Sequence, residues 1–277
     1  MITTKGKQFI KRYMAHQVGD IARSISVGAG GLAENVAHTA LQFEIGRADI
    51  YLISYDYVND KIVFKASLPQ DLSGKIYEVG LWSQGTSTAA GQFTSKLLTT
   101  FDSVGEVWSN GSFQTANARL GVDALRFTPS ASTTVIGALN NLFIDLSGNS
   151  GADQFSVAYY NSNANVANFK VRFKTDNSNY YTIQITSPAT GYQVSTVAKS
   201  AATVTGNPSW ANITTIEVEV VAGAGGSASI DFDGLRIEDT DTIDPNYVMV
   251  AREALVTPVT KVAGRVTDIE FNLPVTV

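Results

Sequence analysis

Asp56–Ser83 reads DYVNDKIVFKASLPQDLSGKIYEVGLWS. In its first half Ile62, Phe64 and Ala66 alternate with Lys61, Val63 and Lys65, the period of two of a half-buried strand. Pro69, Asp71, Ser73 and Gly74 stop the ladder and tolerate tight backbone angles. Ile76–Trp82 predicts a second strand, with Tyr77, Val79 and Leu81 on one face. No third strand follows, because the chain runs on through Gln84–Ser95, rich in Gly, Ser and Thr. A strand of matching character lies at the far end. There Thr267, Ile269, Phe271 and Leu273 alternate with Asp268, Glu270 and Asn272. Such a strand needs a sheet on which to bury one face, and the 62–82 hairpin supplies it. The expected organisation is a discontinuous domain, residues 1–96 with 243–277, carrying an inserted domain at 97–242.

The chain of 277 residues is long enough for two ordinary domains with sizeable cores. It has no cysteine, which excludes disulfides, thiolate metal sites and a cysteine nucleophile. The net charge of −5 argues against a nucleic-acid partner, since phosphate binding needs a basic face. Two histidines leave little material for a histidine-rich metal site. No run of about 20 apolar residues is present, so no membrane span is expected. Gln8, Lys11, Arg12, His16 and Gln17 interrupt any apolar region near the N-terminus, against a signal peptide.

Thr4–Ala22 reads as the single helix, with Phe9, Ile10, Tyr13, Met14, Val18 and Ile21 at helical spacing and Thr3 or Thr4 as cap. Ser24–Gly31 reads as a short strand and a glycine turn. Its Gly28, Gly30 and Gly31 lack the Lys-Ser/Thr of a phosphate loop. Leu32–Thr39 suggests a helical turn and Gln42–Ser54 a strand, on which Glu44 and Arg47 can pair. Phe101–Asp239 is β throughout, with turn residues at short intervals, the sign of a sandwich or jelly roll. Phe169, Val171 and Phe173 alternate with Lys170, Arg172 and Lys174; Ile216, Val218 and Val220 alternate with Glu217 and Glu219. The basic row and the two glutamates are expected to pair across a sheet. Gly234 permits a bulge after Ile230, Asp231, Phe232 and Asp233. The fold class expected is therefore mostly β, a split α+β domain with one N-terminal helix and an inserted β-sandwich.

Two resemblances extend this reading. Leu41–Ile50, Lys61–Pro69, Gly74–Ser83, Ala251–Lys261 and Thr267–Leu273 resemble blocks of tailed-bacteriophage virion proteins related to tail-collar and fibre-attachment proteins. The resemblance implies a virion structural protein, as capsid decoration, collar or tail/fibre component, anchored by its split domain. Its implied partners are other virion proteins and further copies of itself, a trimer first. Phe101–Trp108, Leu125–Phe127, Phe143–Gly148, Asn179–Ile185, Thr205–Val220 and Ile230–Asp239 resemble the jelly-roll carbohydrate-binding modules of secreted enzymes and phage fibres. That resemblance implies a projecting module able to meet a host-surface glycan. It also implies a structural Ca²⁺ between the first and last strands, held by Asp102, Asp231 and Asp233 with backbone carbonyls. The competing reading leaves Asp231 and Asp233 in solvent beside Lys or Arg of a neighbouring strand.

No catalytic constellation emerges. A Ser–His–Asp set needs a positioned histidine, and both His16 and His38 lie in the N-terminal segment. Glycoside hydrolysis needs two carboxylates flanking a sugar, and no pair is placed that way by the sequence, so no enzyme is expected. The candidate ligand-binding residues are the tandem tyrosines Tyr159, Tyr160, Tyr180 and Tyr181. Successive strand residues face opposite ways, so one of each pair points away from the core. An outward ring suits a sugar face, an oligomer contact or a rim position. Trp108 and Trp210 read as core closures. The alternative to a virion component is a secreted or surface glycan-binding module without catalysis.

Overall fold

The computed structural model of the protein describes residues 1–18, 20–83, 96–240 and 248–274. The first elements are helix α1 (Thr4–Met14) and strands β1 (Ser24–Gly28), β2 (Glu44–Asp56), β3 (Lys61–Leu68) and β4 (Gly74–Trp82). They are followed by β5 (Lys96–Thr99), β6 (Ser112–Gln114), β7 (Ala124–Phe127), β8 (Thr134–Leu139), β9 (Gln154–Asn161) and β10 (Val166–Lys174). Then come β11 (Tyr180–Thr186), β12 (Gly191–Ala198), β13 (Thr203–Thr205), β14 (Thr215–Ala222), β15 (Ile230–Glu238), β16 (Met249–Lys261) and β17 (Thr267–Pro274). The fold is mostly β, with one α-helix among the described residues and β-sandwich sheets. The chain divides into two compact units, Met1–Gln92 with Thr242–Val277 and Phe93–Asp241.

In the first unit both chain ends enter one six-stranded antiparallel sheet, ordered β16-β4-β1-β2-β3-β17. The alternation in Lys61–Leu68 and Thr267–Leu273 explains the outer pair: Phe271 lies opposite Phe64 and Leu273 opposite Ile62. Phe64, Phe271, Ile25, Val27, Val79 and Leu81 join one core. The other face of β4 is buried too, under the segment that follows β1. Leu41 approaches Gly80 so closely that a Cβ there would meet it at 3.2 Å.

The helix is shorter than its apolar pattern predicts. Thr3 caps it, its Oγ1 accepting from the Gly6 N–H at 2.8 Å. Gly6 permits contact with β16, since a Cβ there would lie 1.9 Å from the Val250 carbonyl oxygen. The helix stops at Met14 because His16 takes a left-handed conformation, φ 55°. The His16 N–H then donates to the Tyr13 carbonyl and the Gln17 N–H to the Arg12 carbonyl, closing the last turn. Histidine stands where glycine is usual, so the sequence carried no stop signal. Tyr13 and Met14 are exposed rather than packed. Residues 32–39 form no helix, only a turn at Val36–Ala37.

The glycine turn after β1 wraps a carboxylate of the protein itself. Glu78, fully buried, accepts from the amides of Gly30 (3.1 Å) and Phe43 (2.9 Å) through Oε1 and of Gln42 (3.0 Å) through Oε2. A Cβ on Gly28 or Gly30 would collide with Oε1 at 2.5 or 2.4 Å. Arg252 completes the cluster, donating Nε and Nη2 to Glu78 Oε2 at 3.2 and 2.8 Å and Nη2 to the Leu32 carbonyl. Its Nη1 lies 3.3 Å from His38 Nδ1. Burial, and then the Arg252 charge, hold His38 below its ordinary pKa against the opposing pull of Glu78.

The second unit is a sandwich. One sheet runs β13-β11-β10-β14-β8; the other runs β12-β9-β15-β7-β6, with β5 also on β15. Every inward position of β10 and β14 is apolar, and Phe169, Val171 and Phe173 pair with Val220, Val218 and Ile216. Phe155 stacks on Phe173 at 4.4 Å between centroids, and Phe232 meets Phe169 edge-on at 5.0 Å. Trp210 closes one end, its ring parallel to Tyr181 at 3.7 Å. Trp108 stacks on Phe101 at 4.9 Å. On the outside, Lys170 and Arg172 bond Glu219, and Arg172 and Lys174 bond Glu217, the cross-strand pairing the alternation predicts. Arg47 and Glu44 pair at 2.7 Å, also as expected.

Candidate functional site

The outer face of the β12-β9-β15-β7-β6 sheet carries polar and aromatic side chains in register. The inward parity of β9 is set by Phe155, Val157 and Tyr159, which are core residues. Tyr160 therefore points outward. It lies opposite Tyr192 of β12 on one side and Asp231 of β15 on the other. Asp231 lies opposite Arg126, which lies opposite Ser112. One row across five strands thus reads Tyr192, Tyr160, Asp231, Arg126, Ser112. Arg126 is outward because Leu125 and Phe127 on either side are buried.

The chemistry of the row is fixed by hydrogen bonds. Arg126 grips Asp231 with a fork, Nε to Oδ1 at 2.6 Å and Nη2 to Oδ2 at 2.8 Å. That pairing raises the Arg126 pKa despite its partial burial. Asn117 Nδ2 also donates to Asp231 Oδ2, at 2.6 Å. The segment between β6 and β7 folds over this face and is held by Asp233. The Asp233 carboxylate accepts from the amides of Arg119 (3.0 and 3.1 Å) and Leu120 (3.2 Å) and lies 3.3 Å from the Tyr192 hydroxyl. Burial pushes the Asp233 pKa up to about 8, outweighing those donors. The Arg119 guanidinium covers the Tyr192 ring at 3.5 Å. Tyr160, Tyr192, Arg126, Asn117 and Arg119 are all half-buried, so the row reaches solvent.

The four tyrosines expected to bind a ligand are not brought together. Tyr159 is a correction: it is buried, edge-on to Phe169 at 5.1 Å, its hydroxyl 3.2 Å from Ser195 Oγ. Tyr181 is likewise committed to Trp210, and its hydroxyl donates to the Pro208 carbonyl at 2.9 Å. Tyr160 and Tyr180 do face outward, but from the two different sheets of the sandwich. Tyr180 stands over Arg172, 5.7 Å from ring to guanidinium.

The calcium site expected at Asp102, Asp231 and Asp233 is also corrected. Among the described residues no group of three acidic or imidazole side chains is arranged to hold a metal ion. Asp102 accepts from the amides of Val104 (2.9 Å) and Val122 (2.5 Å), which brace the loop at the start of the sandwich. Asp231 is neutralised by Arg126, and Asp233 sits at a bulge between Phe232 and Gly234. Protein donors supply what a cation was expected to supply.

Arg126, Tyr192, Asn117 and Arg119 were not singled out by sequence. Arg126 was within reach, because a charge between two core residues of a strand must face outward. Tyr192 depends on the β9–β12 register, and Asn117 and Arg119 on a loop path, neither of which a single sequence encodes legibly.

No family model matches the chain, and no curated protein matches it. Among solved structures, the family 11 carbohydrate-binding module from Clostridium thermocellum, in complex with a β-1,3-1,4-mixed-linked tetrasaccharide, is similar at a TM-score of 0.39 and 17% identity, over 54% of this chain and 96% of that one. A β-sandwich carbohydrate-binding module described for promiscuous specificity is similar at 0.33 and 12%, over 77% and 83%. The Endo-D glycoside hydrolase domain from Streptococcus pneumoniae R6 is similar at 0.32 and 10%, over 49% of this chain and 22% of that one. The chain thus spans under a quarter of that hydrolase domain. At this level of likeness the site has to be read from its own residues.

Proposed function

We propose that the protein is a non-catalytic glycan-binding protein whose site is the outward row of the β12-β9-β15-β7-β6 sheet. The observation that carries the reading is the register that aligns Tyr192, Tyr160, the Asp231–Arg126 fork and Ser112 on one face. A pyranose has an apolar C–H face that packs on an aromatic ring, and adjacent hydroxyls that pair with forked donors. Tyr160 supplies the ring. Arg126 spends two of its five N–H donors on Asp231. It and the Asn117 amide, both bonded to Asp231, supply polar groups along the same row. Asp231 and Asp233 on this face are occupied by protein donors, whereas glycoside hydrolysis needs an acid and a second carboxylate flanking the bond, which supports binding rather than turnover. Electrophoresis through gels containing a panel of soluble polysaccharides tests the reading: at least one should retard the wild type and release Tyr160→Ala. Retardation by none of them removes the proposal.

A place in a virion, beside capsid, collar or tail proteins, is the second reading. It rests on the resemblance of five sequence blocks alone, which overlap β2, β3, β4, β16 and β17. Mass spectrometry of purified particles that lacks this chain would exclude it.

A further inference from the structure

We propose that the first unit pairs with a second copy of itself through the free edge of β2, Ile50–Asp56. β1 pairs with β2 only as far as Asp49, and the Ile50 N–H still reaches the Arg23 carbonyl. Beyond that point, among the described residues, β2 pairs with β3 on one side only. Tyr51, Leu52, Ile53 and Tyr55 are all exposed, at 57, 43, 49 and 42%. Ile53 and Tyr55 share a face with Phe64 and Ile62, while Leu52 lies opposite Lys65 on the other face. A strand that shows apolar side chains on both faces and an unpaired backbone edge is a template for another strand.

The other edges of this sheet are protected in the usual ways. β16 breaks register between Ala254 and Val259 and carries Pro258. β17 carries Asp268 and Glu270 and ends in Pro274. Between Asp49 and Asp56, β2 has no charged residue and no proline. This is the composition of an edge meant to be covered.

The occupant that fits is the same segment, antiparallel, about a two-fold axis at Ile53. Ile53 then meets Ile53, Tyr51 meets Tyr55, and Leu52 meets Ser54, so no like charges lie opposite each other. Tyr57 and Val58, 87 and 90% exposed, extend the apolar patch at the tip, where Tyr57 stands edge-on to Tyr55 at 4.7 Å. Covering these side chains removes on the order of 600 Å² per copy. The total of about 1,200 Å² reaches the lower end of specific interfaces. An isologous strand pair closes at two copies, where the tail-collar resemblance implied three.

Sedimentation velocity of the full chain across a range of concentrations reads the assembly. A monomer–dimer equilibrium is expected, and Ile53→Lys should be monomeric throughout, because two like charges would meet on the axis. Ile53→Cys gives a second readout that does not depend on the lysine variant folding. The chain has no cysteine, so mild oxidation can link only the two introduced thiols. It should yield covalent dimer faster than Asp268→Cys on the far edge. Tyr160→Ala should dimerise like the wild type, which separates this inference from glycan binding. A wild type that stays monomeric, a trimer, a dimer that survives Ile53→Lys, or Ile53→Cys linking no faster than the control each overturns it.

Discussion

Replacing Arg252 with Met tests the buried cluster that holds the first unit together. Glu78 is fully buried and Arg252 is 2% exposed. Methionine matches the aliphatic stem but leaves the Glu78 carboxylate without its cation. Removing one partner of a buried pair costs about 3–5 kcal/mol. Three backbone amides still donate to Glu78, which places this case near the lower bound, about 3 kcal/mol. With a urea slope of about 1.5 kcal/mol/M the midpoint of the first unit should fall by about 2 M. Hydrogen exchange should locate the loss, since the Gly30, Gln42 and Phe43 amides are held by the carboxylate. The His38 pKa should rise in the variant, because the Arg252 charge is one of the causes that depress it. A loss below about 1 kcal/mol, with unchanged exchange over residues 29–43, would refute the view that this ion pair organises the glycine turn.

Other expectations follow from single contacts. Trp210→Ala removes a half-buried ring packed on Tyr181, Phe155 and Phe173 and should destabilise the second unit by about 3 kcal/mol, the lower end for a large core side chain, in chemical denaturation. Asp233 has a folded pKa raised to about 8. The native state therefore holds its proton more tightly than the unfolded chain, and stability declines as pH rises from about 4 through about 8. Asp233→Asn should flatten that decline in thermal melts recorded across the range. His38 has a depressed folded pKa, so its contribution is present above its ordinary value and lost as pH falls through the folded one. His38→Asn should weaken the acid limb in the same melts. Because Asp102, Asp231 and Asp233 are occupied by protein donors, melting midpoints in excess calcium and in chelator should coincide. A higher midpoint in calcium would restore the metal site.

What the sequence made legible was whatever the period of two controls. The alternations at Lys61–Ala66, Phe169–Lys174 and Ile216–Val220 state which side chains face the core, and the strands bury those faces. The charge rows at Lys170–Lys174 and Glu217–Glu219 pair because each is the outer face of adjacent strands. The sequence was silent where a single residue departs from its usual role. His16 ends the helix by taking a conformation that glycine normally takes. Tandem tyrosines say that one ring of each pair faces out. Which one depends on parity, and the parity of Phe155 and Val157 assigns Tyr159 to the core. The candidate site was less legible than the fold because it is made by register. Tyr192, Tyr160, Asp231 and Arg126 come from four strands and are aligned only by cross-strand pairing. The loop that brings Asn117 and Arg119 over them is positioned by a bulged, buried Asp233.

The most direct test of the glycan-binding reading compares two tyrosines that sequence alone treats alike. Isothermal titration of a retarding polysaccharide into the wild type, Tyr160→Ala and Tyr180→Ala separates the two outer faces of the sandwich. The site proposed on the β12-β9-β15-β7-β6 sheet predicts at least a tenfold loss, about 1.4 kcal/mol, in Tyr160→Ala and wild-type affinity in Tyr180→Ala. Equal binding by Tyr160→Ala, or a loss confined to Tyr180→Ala, would contradict it.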